Sequence, residues 1–68
     1  MNYVIEVALE TDGRWIAEIV SLPGVMTYGK TREEAIAKTQ ALALRVEADK
    51  LESGERPVFA SGIFFQAA

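Results

Sequence analysis

Apolar and polar residues alternate from Tyr3 to Glu10, with Tyr3, Ile5, Val7 and Leu9 on one face and Val4, Glu6, Ala8 and Glu10 on the other. This period of two marks a half-buried strand. Thr11-Asp12-Gly13-Arg14 follows, and an Asp-Gly pair between two such runs predicts a hairpin turn. A second run from Arg14 to Val20 sets Trp15, Ala17 and Ile19 against Ile16, Glu18 and Val20. At Leu22-Pro23-Gly24, Pro23 presets its own φ and Gly24 offers the positive φ that a type II turn needs next. The bend feeds a third strand from about Val25 to Tyr28, so an antiparallel meander is expected.

The period then changes. Gly29-Lys30 breaks the strand, and Thr31 can cap a helix while Glu34 reaches back to complete a capping box. The helix should run from Arg32 to about Glu52, a length of roughly 30 Å. Ala35, Ile36, Thr39, Leu42, Ala43 and Val46 form an apolar stripe suited to lie on the sheet. A second stripe of Ala37, Ala41, Leu44, Ala48 and Leu51 points nearly the opposite way. It reads either as helix-propensity filler or as a contact surface anchored by Leu44 and Leu51. Gly54 suits the left-handed position past the last turn, and Pro57 prevents continuation.

Val58 to Phe65 is the predicted last strand, with Phe59, Ile63 and Phe65 on one side and Val58, Ala60, Gly62 and Phe64 on the other. Gly62 reads as a bulge or a close backbone approach. A strand apolar on both faces either sits inside the sheet or presents an interface. Gln66-Ala67-Ala68 is expected to fray. The pattern therefore predicts an α+β fold in the order β-β-β-α-β: an antiparallel sheet with one long helix packed on one face, residues 1–68 forming a single domain.

A chain of 68 residues has a marginal core and gains stability by association, so a homodimer or higher homo-oligomer is expected. With no cysteine and no histidine, disulfides, thiolate or imidazole metal sites and every triad needing those groups are excluded. A formal charge of −3 argues against a sequence-independent grip on phosphate backbones and suits a basic protein partner. No apolar run is long enough to span a membrane and no basic leader precedes the first strand, so a cytoplasmic location is expected.

Glu6, Glu10, Asp12 and Glu18 cluster on the hairpin, and Glu6, Glu10 and Glu18 share the face opposite Trp15. Such acids could hold Mg²⁺ for phosphodiester hydrolysis. They alternate with Val and Ala, however, as on the solvated face of an antiparallel sheet. Trp15 reads as a packing aromatic, and Arg14, Lys30 and Arg32 as dispersed charge. No glycine loop matches a phosphate-binding fingerprint. No catalysis, metal or cofactor is expected, a metal-dependent nuclease being the rival. Interface candidates are Glu6, Glu10 and Glu18 on the sheet, Leu44 and Leu51 on the helix, and Phe59, Ile63 and Phe65 on the last strand. Asp12, Gly13, Pro23, Gly24, Gly29, Thr31 and Glu34 carry the turns and the cap.

At Asp12-Gly13 with Trp15 and Ala17-Glu18, then Leu22-Pro23-Gly24, Gly29, Thr31 and Glu33-Glu34-Ala35, the chain resembles the HicB antitoxin family. The resemblance covers residues 3 to about 50. It implies a β-β-β-α-β domain likened to a partial RNase H fold, and a partner in a HicA-type toxin, an RNase that cleaves mRNA. Val20-Ser21 stands where the family usually has a proline and an acid, and Val25 where a cysteine is common. Full-length members often carry a DNA-binding module after the last strand. This chain ends at Ala68, so it resembles a single-domain member and no direct DNA binding is expected of it.

Overall fold

The computed structural model describes residues 2–54 and 62–68. Four strands and one helix follow in the order β1 (Asn2–Leu9), β2 (Trp15–Glu18), β3 (Met26–Gly29), α1 (Arg32–Glu52) and β4 (Phe64–Ala67). The fold is α+β.

The Asp-Gly hairpin forms as a three-residue loop. Glu10 N–H donates to the Arg14 carbonyl at 2.7 Å, Gly13 N–H donates to the Glu10 carbonyl at 3.0 Å, and Gly13 takes a φ of 89°. A type I turn followed by a left-handed glycine has this pattern. Asp12 Oδ1 accepts from Arg14 N–H at 3.1 Å, and its Oδ2 pairs with Arg14 Nε at 2.7 Å. At the second bend Val25 N–H donates to the Leu22 carbonyl at 3.1 Å across Pro23-Gly24, and Gly24 has a φ of 84°. Val25 thus closes the turn, and β3 begins one residue later than the pattern implied. A further bend, closed by Leu22 N–H on the Ile19 carbonyl, ends β2 early and leaves Val20 exposed.

The helix spans the expected residues. Thr31 Oγ1 accepts from Glu34 N–H at 3.0 Å, while Glu34 Oε1 accepts from Lys30 N–H at 3.3 Å, one residue before the usual capping-box donor. Ala35, Thr39 and Ala43 are fully buried, with Ile36, Leu42 and Val46 packed partly buried beside them. Small side chains at four-residue spacing let the helix backbone come close to the sheet. The approach is tight at Gly29, where a Cβ would lie 2.5 Å from the Ala35 backbone nitrogen. Two hydroxyls, one buried and one half-buried, fasten the same contact. Thr39 Oγ1 donates to the Ala17 carbonyl at 3.0 Å, Thr27 Oγ1 donates to the Ala35 carbonyl at 3.0 Å, and the hydroxyls stand 2.7 Å apart. Each hydroxyl has one proton, so two protons are shared among three contacts.

The stripe pattern missed Glu47, which is only 2% exposed and accepts a hydrogen bond from the Tyr3 hydroxyl. It extends the Ala35-Thr39-Ala43 row by one more turn, and its partnered carboxyl lets a charged residue type occupy a core position. Tyr3 also packs against Phe65, with ring centroids 5.9 Å apart. Leu9, on the same face as the buried Tyr3 and Ile5, is 59% exposed, because the helix lies over β2 and β3 more than over β1.

Two expectations fail at the C-terminal strand. The sheet is mixed rather than antiparallel, with order β3-β2-β1-β4 and β4 parallel to β1. The helix returns antiparallel to β3, so the strand that follows runs the same way as β3 and β1; a helical crossover is how parallel neighbours are joined. Nor do the last residues fray. Gln66 and Ala67 belong to β4, and Ala68 N–H donates to the Ile5 carbonyl at 2.8 Å. The N-terminal part of the predicted strand, including Val58 and Phe59, lies outside the described residues.

Gly29→Ala is expected to cost about 1–3 kcal/mol, the range for forcing extra volume into a packed contact. Urea unfolding followed by circular dichroism checks this. A change within experimental error would mean that the helix is not seated against β3 at this distance.

Candidate protein-interaction surface

The helix covers one face of the sheet, and among the described residues no element covers the other. Alternation along the strands turns Val4, Glu6 and Ala8 of β1 and Ile16 and Glu18 of β2 to the open face. Met26 and Tyr28 join them from β3, and Phe64 and Gln66 from β4. Val4, Met26 and Phe64 are between 45% and 59% exposed, so much of this face is apolar surface in contact with solvent.

Two carboxylates stand in the middle of it. The hairpin register places Glu6 directly opposite Glu18, and like charges at opposed positions destabilise a sheet. Neither carboxylate takes part in a hydrogen bond or ion pair among the described residues. Two of the chain's cations are engaged by other groups. Arg14 is tied to Asp12 and lies over the Tyr28 ring, its Cζ 4.3 Å from the centroid. Lys38 pairs with Glu34 at 3.2 Å. The carboxyls that have partners titrate accordingly. Asp12 is held below its ordinary range chiefly by the Arg14 backbone N–H, and Glu34 chiefly by the Lys30 backbone N–H and then by Lys38.

Around the opposed pair the surface is concave. Glu6, Val7, Ala8, Ile16 and Glu18 line a shallow depression of about 280 Å³. A neighbouring depression of about 510 Å³ is lined by Asn2, Val4, Glu6, Val20, Ser21 and Ala68. Glu6 therefore borders both.

The other candidates are dispersed. Glu10 shares the open side by alternation but sits in the hairpin turn, its N–H bonded to Arg14 and its carbonyl to Gly13. Leu44 and Leu51 are exposed on the part of the helix turned away from the sheet, so they do not adjoin the acidic pair. Ile63 and Phe65 pack against the core, and Phe64 takes the exposed position instead. Phe59 lies outside the described residues. The pattern missed the apolar surround of Val4, Ile16, Met26, Tyr28 and Phe64, although its signal was present: these strands are apolar on the acid-bearing parity as well. Among the described residues no group of three or more acidic side chains is placed to hold a metal ion. No helix among them is long and apolar enough to cross a membrane.

No family model matches the chain, and neither the curated proteins nor the solved structures contain a match to it.

Neutralising either member of the pair, as Glu6→Gln or Glu18→Gln, is expected to stabilise the free protein by about 0.2–1 kcal/mol. The gain should shrink in molar salt, where charges on exposed groups are screened. Thermal unfolding at low and high salt is the check, and destabilisation in both would show that each carboxylate has a favourable partner within the chain.

Proposed function

We propose that this protein is an antitoxin that binds a small HicA-type mRNA-cleaving toxin and occludes it. The observation that carries the reading is the opposed Glu6–Glu18 pair on a partly apolar sheet face, neither carboxylate being paired with a cation among the described residues. An unrelieved pair of negative charges favours a partner that brings positive charge. A toxin that cleaves RNA must present such charge to its substrate, so a surface that engages it competes with RNA. The apolar surround of Val4, Met26 and Phe64 supplies area to bury, while the charges set orientation and association rate. The resemblance to the HicB family supplies the identity of the partner, and the strand and helix order agrees with the order it implies. Binding alone suffices for this role, and no catalytic step is assigned to the chain.

The informative observation is a neighbouring gene for a short, basic, histidine-containing protein. Co-expression tests the reading: the neighbour's product alone is expected to arrest growth, and this chain to restore growth and to co-purify with it. Failure of both rescue and co-purification would leave an orphan homo-oligomeric domain as the reading. Mg²⁺-dependent cleavage of RNA by the purified chain, lost in Glu6→Gln, would establish the nuclease instead.

A further inference from the structure

The sheet ends in two unlike edges, β3 on one side and β4 on the other. Successive residues of a strand turn their N–H and C=O groups to alternate sides. At β3, Ile19 N–H donates to the Val25 carbonyl at 3.0 Å, so the odd-numbered residues face β2 and Tyr28 faces outward. The outward Tyr28 carbonyl is occupied, because Lys38 Nζ donates to it at 3.3 Å while held by Glu34. A lysine at the edge is one of the devices by which sheets avoid pairing with other chains.

Among the described residues the β4 edge has no such guard. Ala68 N–H donates to the Ile5 carbonyl, so Phe64, Gln66 and Ala68 face β1. Phe65 and Ala67 therefore turn their N–H and C=O groups away from the sheet. Among the described residues no strand lies beyond them. No charged residue occurs from Gly62 to Ala68, and Phe64 flanks the edge with most of its side chain in solvent.

We propose that the β4 edge pairs antiparallel with the β4 edge of a second copy, about a two-fold axis near Gln66, joining the two sheets into one. In this register Phe65 faces the partner's Ala67, and the symmetry repeats the exchange, so the outward groups satisfy one another in about four N–H···O bonds. A second copy fits because it brings an identical row of outward N–H and C=O groups. The uncharged strand also lets two chains of net charge −3 approach without opposing like side chains across the axis. Two short edges bury well under the roughly 800 Å² per partner of a standard interface, so the dimer is weak and concentration-dependent. The inference is independent of the antitoxin reading, since it concerns the chain alone.

Sedimentation equilibrium of the full chain over a range of concentrations tests it. The mass is expected to rise from 7.5 kDa toward twice that value. Ala67→Pro removes an outward donor and leaves the β1-facing donors of Gln66 and Ala68 in place. It is expected to raise the dissociation constant at least about tenfold, with circular dichroism unchanged. Gln66→Lys opposes two ammonium groups across the axis and is expected to do the same, which keeps the test open should the proline variant fail to fold. Leu44→Lys should leave the dimer intact. A monomer at every concentration, a dimer that survives both β4 substitutions, or a dimer lost in Leu44→Lys would overturn the proposal.

Discussion

The contact between Gly29 and the first turn of α1 leaves no room for a side chain, and much of the remaining structure follows from it. Because the helix is drawn onto β3 there, its small residues Ala35, Thr39 and Ala43 become the ones that meet the sheet. Thr39 can then reach the Ala17 carbonyl and Thr27 the Ala35 carbonyl, which satisfies polar groups that burial would otherwise leave costly. The capped start of the helix fixes its direction just beyond this point. A helix leaving β3 in that direction delivers the chain back at the far side of β1, and β4 has to run parallel to β1.

Surface properties follow from the same geometry. Among the described residues one helix covers one face, and on the opposite face Val4, Met26 and Phe64 stay in solvent beside the opposed Glu6 and Glu18. In a core this small, exposed apolar area of that kind costs stability unless something covers it for part of the protein's life. The two edges differ because Lys38, two turns into the helix, lies close enough to β3 to occupy its outward carbonyl, whereas no charged side chain occurs from Gly62 to Ala68. Face and edge are separate surfaces, so a dimer joined at β4 leaves the acidic face free for another partner.

Features set by local chemistry were legible in the sequence. The Asp12-Gly13 hairpin, the Pro23-Gly24 bend and the Thr31 cap each depend on a few adjacent residues, and each formed where the pattern put it. What depended on distant partners was not. The direction of β4 is set by where the helix delivers the chain, which no strand pattern encodes. Glu47 follows the buried row of the helix by its spacing, but its charge masked this until Tyr3 was seen to bond it. At β4 alternation set Phe64 and Phe65 on opposite faces without saying which meets the core; the register that places Phe65 beside Tyr3 turns it inward and leaves Phe64 in solvent. Glu6 and Glu18 could be assigned to one face from alternation alone, whereas their direct opposition required the three-residue loop that fixes the hairpin register.

If the open sheet face is the surface that engages a basic partner, reversing charge there should matter more than altering any other exposed surface. The most direct measurement is isothermal titration of the co-expressed basic partner with two variants, Glu6→Lys combined with Glu18→Lys, and Leu44→Lys combined with Leu51→Lys. The expected result is that the sheet variant, with its circular dichroism preserved, loses binding by at least about a hundredfold, nearly 3 kcal/mol, while the helix variant binds as the wild type does. Wild-type affinity in the sheet variant, or loss confined to the helix variant, would contradict the assignment of that face.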